Sequence, residues 1–164
     1  MSDRPEPTPI GKALGRLPTG LYIVATRAQA PDSPAVGFVG SFVMQQGLAS
    51  PVVSVAVGKD RAHLDAIRAA GAFSISILDS ASSGSMGAFF KKYEPGSGPF
   101  DDLETLETPR GLPALAGALA WLECEVTGEH ELEDHIVVFG KVLAGAQLHD
   151  GDPAIHLRKD GLGY

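Results

Sequence analysis

The stretch AVGFVGSFVMQQGLASPVVSVAVGKDR, Ala35 to Arg61, holds the residues with the clearest chemical potential. One apolar run is broken by Gly37, Gly40 and Ser41, and the next ends in Gly58, Lys59 and Arg61. Gly40 and Ser41 bring no bulky side chain. A ligand could therefore approach the main chain of Val39, Gly40, Ser41 and Phe42 and accept hydrogen bonds from its N–H groups, with the Ser41 hydroxyl as a further donor. Lys59 and Arg61 follow a strand exit at Val57 and Gly58, where side chains converge on a rim. Arg61 can grip a phosphate through two parallel hydrogen bonds, and Lys59 supplies a point charge. A phosphate at one end and a polar-edged ring at the other describe flavin mononucleotide (FMN). A glycine bulge beside a solvated basic turn would use the same residues, so spacing alone leaves both readings open.

Other reactive residue types give weaker signals. His63, His130, His135, His149 and His156 are scattered, and no pair has helix-face or zinc-like spacing. His130, Glu131, Asp134 and His135 are close in sequence, but on a hairpin their side chains would diverge, so no metal site is expected. Cys124 alternates with Glu123 and Glu125, the pattern of a buried small hydrophobe rather than a nucleophile. Trp121 and Phe89 read as core. GSMGAFF lacks the Gly-x-Gly-x-x-Gly spacing of a dinucleotide-binding turn. The acidic run FDDLETLET reads as a solvated loop.

Composition bounds the rest. The chain has 164 residues, the size of one domain, and 44% apolar residues, enough for a core. A net charge of −7 argues against nucleic acid, whose phosphates need concentrated Lys and Arg, but permits a small phosphorylated ligand held by local cations. The lone cysteine excludes an internal disulfide and fits a reducing compartment. The start, MSDRPEPTPIGK, has no apolar stretch of a secretory leader, and no run approaches the ~20 apolar residues that span a bilayer. The expectation is a cytoplasmic protein with no membrane contact.

The elements that must position these groups are mostly strands. Proline-rich residues 1–10 read as a disordered arm, and 11–164 as a single domain. Thr19–Thr26, Val36–Met44, Val52–Val57, Ala118–Thr127 and Ile136–Leu148 read as strands, with a last short one at Ala154–Leu157. The 27–34 segment reads as a turn. In AFSISIL, Phe73, Ile75 and Ile77 point one way and Ser74 and Ser76 the other. In Ala118–Thr127, Leu122, Cys124 and Val126 are expected inward, Glu123 and Glu125 outward. RAHLDAIRAAG switches to helical spacing and stops at Gly71. SASSGSMGAFFKKY reads as a short helix entered from a serine cap. Glu94–Pro113 reads as a long surface excursion. Gly140 and Gly145 mark bulges or barrel bends. Many short strands, few helices and no βαβ rhythm predict a mainly β, antiparallel Greek-key barrel.

From Leu14 to Tyr164 the order of segments resembles the flavin reductase family, whose members adopt the FMN-binding split barrel. The segments are LPTGLYIVAT, GFVGSFVMQQ, ASPVVSVAVGKDRAH, GAFSISIL, GLPALAGALAWLECEV, EDHIVVFGKV and PAIHLRKDGLGY. The nearest likeness is to reductase modules that are fused to, or accompany, flavodiiron proteins and two-component monooxygenases. The resemblance implies that Val39, Gly40, Ser41 and Phe42 contact the flavin ring. It implies that Val57, Gly58, Lys59 and Arg61 hold the phosphate and ribityl end, and that His135 of Glu133-Asp134-His135 lies where nicotinamide arrives. The family's glycine before Asp-His is here Glu133, and its Asp-Pro-Pro is here Ser50-Pro51-Val52. The implied activity is hydride transfer from NAD(P)H to FMN, or to FAD, in a homodimer, for passage to a downstream and possible protein acceptor. Two alternatives stay open: a non-catalytic electron relay, and a split barrel holding haem, a deazaflavin or a pyridoxal phosphate-type cofactor.

Overall fold

The computed structural model describes residues 6–28 and 33–163. Among the described residues eleven strands form: β1 (Thr19–Gly20), β2 (Tyr22–Arg27), β3 (Ala35–Gly40), β4 (Val43–Gln45), β5 (Val52–Gly58), β6 (Ala72–Ile77), β7 (Thr105–Glu107), β8 (Pro113–Leu115), β9 (Ala120–Glu131), β10 (His135–Gln147) and β11 (Ile155–His156). Helix α1 spans Pro9–Leu14, α2 spans Ala62–Ala70, and a 3-10 helix spans Ser83–Phe90.

Seven strands make one antiparallel sheet in the order β3-β2-β6-β9-β10-β5-β4. Strands β3 and β4 sit at opposite edges, yet only Ser41 and Phe42 separate them in sequence. The sheet must therefore curl until its edges meet, and on the β4 side the Phe42 carbonyl accepts from Ala56 N of β5 at 3.0 Å, carrying that ladder one residue into the seam. The result is the mainly β, Greek-key split barrel expected. The single run anticipated over Val36–Met44 is two strands because the chain changes edge at that seam.

The barrel interior is filled by Val24, Val53, Val55, Val57, Phe73, Ile75, Cys124, Ile136 and Val138. Helix α2 closes one end with Leu64, Ile67 and Ala70, and stops at Gly71, whose φ of 65° suits a residue without Cβ. The outer face of the sheet is not left to water. Ile23, Leu78, Leu115 and Ala118 form a second cluster, with Met86, Phe89, Phe100 and Leu103 packed on it.

That cover corrects two expectations. The excursion over Glu94–Pro113 ends in the β7–β8 hairpin, and Leu112–Leu115 are buried. Strands of three residues are too short to show alternation. Glu123, expected outward, is 1% exposed, because the cover lies over it and Arg110 N donates to its carboxylate at 2.8 Å. The serine face of β6 is capped likewise: Ser74 Oγ donates to the Pro113 carbonyl at 2.5 Å, and Leu115 N donates to Ser76 Oγ at 3.0 Å.

The first helix begins inside the expected arm. Pro9 suits a helix start, where its missing N–H costs nothing, and Thr8 Oγ1 accepts from Gly11 N at 3.1 Å. Residues 1–5 of that arm, and 29–32 of the expected turn, lie outside the described residues. The β9–β10 ladder shifts register between Phe139 and Gly140 and again between Val142 and Ala144, close to the glycines anticipated as bulges.

Candidate functional site

The seam between β3 and β4 places the first group of predicted residues. Val39 packs on the outer cluster. Gly40 faces the barrel interior, where a Cβ would meet Val24 Cγ2 at 3.3 Å and Phe38 at 3.6 Å. Its missing side chain serves closure of the barrel rather than approach of a ligand on that side. Gly37 is small for a similar reason, since the Phe89–Phe100 pair lies against it. Ser41 differs. Its Oγ is buried and has no hydrogen-bond partner among the described residues, an arrangement that costs free energy unless something supplies a partner.

Phe42 connects the seam to the second group. Its ring meets His135 edge-on at 6.0 Å between centroids. His135 opens β10 and pairs with Gly58 at the exit of β5. Lys59 N donates to the Asp134 carbonyl at 3.0 Å, so the hairpin tip and the strand exit are tied together. Asp134 Oδ1 lies 3.0 Å from His135 Nδ1, and that contact holds the Asp134 carboxyl below its ordinary range. The structure thus brings Ser41, Phe42, Gly58, Lys59 and His135 to one region. Val57 is adjacent, but its side chain is buried in the barrel core and offers a ligand only backbone.

The two predicted cations differ in availability. Lys59 Nζ is 2.6 Å from Glu131 Oε1, and the ammonium holds the Glu131 carboxyl below its usual value. Arg61 is exposed at the start of α2 and makes no ion pair among the described residues. It stands close enough to His63 to lower that imidazole's pKa, although burial is the larger cause.

Two features escaped sequence reasoning. Arg158 lies over the Phe42 ring, Cζ 4.8 Å from its centroid, and so contacts the same ring that His135 meets edge-on. Its segment, PAIHLRKDGLGY, carries no periodicity that would mark one residue out. Farther off, Asp79 Oδ2 meets His149 Nε2 at 2.8 Å while its Oδ1 accepts from Ser82 Oγ at 2.7 Å. The serine expected to cap the next helix is spent on that carboxylate. His149 and Ser82 together hold Asp79 far below the ordinary carboxylate pKa.

A cavity of about 330 Å³ opens at the other end of β5 and β10, between Tyr22, Val52, Ile77, Leu122 and Val142. None of its lining residues is charged and none is a predicted site residue, so it does not suit a phosphate. Among the described residues no group of three or more His, Cys, Asp or Glu is placed to hold a metal ion, and no helix is long and apolar enough to cross a membrane.

Comparison with known proteins adds a frame to this geometry. The flavin reductase like domain family matches residues 14–161. A diflavin flavoprotein A 1 of Synechocystis sp. is 36% identical over 155 residues, 93% of this chain and 26% of that protein, so the chain spans about a quarter of such a relative's length. Component B of nitrilotriacetate monooxygenase from Mycobacterium thermoresistibile superposes with a TM-score of 0.79 at 26% identity, covering 89% of this chain and 79% of that one. The NADH:FAD oxidoreductase of Streptomyces globisporus C-1027, solved with NAD and FAD fragments, shares the fold at a TM-score of 0.79 and 23% identity, over 89% of this chain and 85% of that one.

Proposed function

The chain belongs to the flavin reductase-like family, and from that we propose that it transfers a hydride from NADH or NADPH to a bound FMN or FAD. The observation that carries the proposal is the seam: a buried, unpartnered Ser41 hydroxyl beside an aromatic wall of Phe42 and His135 with cations at its margin. Those donors fit a polar-edged ring with an anionic tail. Bound there, a flavin would supply the two-electron acceptor that no side chain provides.

What the residues contribute follows from their chemistry. The Ser41 hydroxyl donates to the ring's carbonyl edge. Donors fixed there before the reaction stabilise negative charge as it grows, without reorganising. The Phe42 ring offers an apolar wall. Gly58 and the backbone of Val57 border the ribityl chain. Arg61 binds phosphate more readily than Lys59, whose ammonium would first have to leave Glu131. His135 orients the nicotinamide. Hydride transfer needs no general acid, so no proton transfer is assigned to it.

The same reading includes a homodimer and a cytoplasmic setting. Met44, Leu48 and Leu143 are 63%, 89% and 46% exposed, apolar area that a second copy could cover. The buried Cys124 thiol, pushed up to about 12 chiefly by burial, is inert and fits a reducing compartment. Passage of electrons to a protein acceptor draws support from the mycobacterial likeness, which is a component of a monooxygenase.

The deciding experiment is an absorption spectrum of the purified protein with FMN or FAD, followed by anaerobic addition of NADH or NADPH. Flavin bands that bleach within seconds support the reductase. Bands that persist favour the relay, and a protein that binds no flavin at micromolar concentration overturns the proposal. Sedimentation of the same sample at the mass of one chain would overturn the dimer.

A further inference from the structure

We propose that Arg158 is an anion-binding side chain of this site: its guanidinium, held over Phe42, takes a phosphate of the flavin or of the nicotinamide dinucleotide. The inference rests on the reductase reading above and deepens it by naming a residue that the strand-exit cations do not include.

The first ground is unspent hydrogen-bonding capacity. A guanidinium carries five N–H groups. Arg158 Nη1 donates to the Gly161 carbonyl at 3.2 Å, and no other acceptor meets the fork among the described residues. In this acidic chain Arg27, Arg68, Arg110 and Lys59 each meet a carboxylate. Half-buried Arg158 meets none among the described residues. Asp160, two residues on, is turned away, its Oδ1 accepting from Leu162 N at 2.9 Å.

The second ground is that the fork is held in place. The Arg158 carbonyl accepts from Arg16 Nη2 at 2.9 Å. Gly161 N donates to the Gly11 carbonyl at 2.7 Å. A Cβ on Gly15 would collide with the Arg158 carbonyl, and one on Gly161 with Leu14, so the C-terminal segment lies flush on α1. The guanidinium is then laid over the Phe42 ring, which His135 also meets edge-on. A side chain ordered before binding loses less entropy when it binds.

The third ground is the neighbour. Ser41, the residue before Phe42, has the buried unpartnered hydroxyl. Phe42 thus has an unsatisfied donor next to it in the chain and an unspent guanidinium over its ring. One phosphorylated, polar-edged molecule would satisfy both.

The test compares wild type with R158M, which keeps an apolar stem on Phe42, and R158K, which keeps charge without the planar fork. Dissociation constants for FMN and for riboflavin come from flavin fluorescence titration, and the nicotinamide KM from steady-state rates. A charged hydrogen bond of ordinary strength predicts a loss of about 10- to 100-fold in R158M, with R158K between it and wild type. Loss of FMN affinity with riboflavin unchanged assigns the flavin phosphate. A raised nicotinamide KM with FMN binding unchanged assigns the dinucleotide. Both constants within twofold of wild type, in variants with an unaltered melting temperature, overturn the inference while leaving the reductase intact. If R158M does not fold, R158K alone decides it by the same two constants. A wild-type protein that binds no flavin removes the parent reading and this one with it.

Discussion

At the scale of single residues, Ser41 is the most informative. Burying a hydroxyl without a partner costs about 1–3 kcal/mol, and replacing it with a methyl group recovers that cost. We therefore expect Ser41→Ala to leave the flavin-free protein equally or more stable, and to weaken FMN binding about 5- to 10-fold, as loss of one neutral hydrogen bond implies. Thermal melting without flavin and a fluorescence titration with it would check both halves. A clear fall in melting temperature with unchanged affinity would show that the hydroxyl serves the fold. Ser41 and Lys59 stand out in the sequence because a small residue breaks one apolar run and a basic one ends the next, whereas Phe42 as a ring contact and His135 were indicated by the family resemblance alone; the structure brings all four to one region. Arg158 was not, because its role comes from a contact with Phe42 more than a hundred positions away. Glu123 was misread for the same kind of reason: alternation assigns a side to a residue but cannot tell whether that side is wet.

At the scale of elements, β10 shows how a strand bends around a filled barrel. Where its pairing with β9 slips, Gly140 lies against the Phe73 ring and Cys124, and an added Cβ would stand 2.5 Å from Phe73 Cζ and 2.8 Å from Cys124 Cβ. Both neighbours are fully buried and cannot retreat. Gly140→Ala should cost about 1–3 kcal/mol, the usual penalty for overfilling a packed core, seen as a lower urea midpoint. A midpoint equal to wild type would mean that the bulge yields. Long strands and the amphipathic α2 were readable from period alone. The β7–β8 hairpin was not, since three residues carry no period and their burial depends on the sheet beneath. The split of Val36–Met44 was likewise hidden, because the seam follows from closure and not from local preference.

At the scale of the whole molecule, the Asp79–His149 contact joins the end of β6 to the approach of β11. Asp79 titrates lower folded than unfolded, so it stabilises the fold above the unfolded value of 3.8, and that contribution fades as pH falls through the lower folded value. Asp79→Asn should thus melt below wild type near neutrality, with the gap narrowing under pH 3.8. A gap independent of pH would assign the loss to packing. The antiparallel barrel class was accessible from many short strands without βαβ rhythm, and from segment order resembling a known family, whereas the strand order was not. The pairing of the two ends of the domain was not, as Gly11 and Gly161 are adjacent only once folded.

That pairing makes the first helix a remote part of the binding surface. A protease that clipped the exposed Arg16–Leu17 linker would leave the seven-stranded sheet whole. Departure of the cut helix would nonetheless strip the tail of the contacts from Gly11 and Arg16 that hold the guanidinium's segment in place. Such a nicked protein would keep its shape while losing its grip on phosphate, which makes limited digestion a way to separate the scaffold from the clasp.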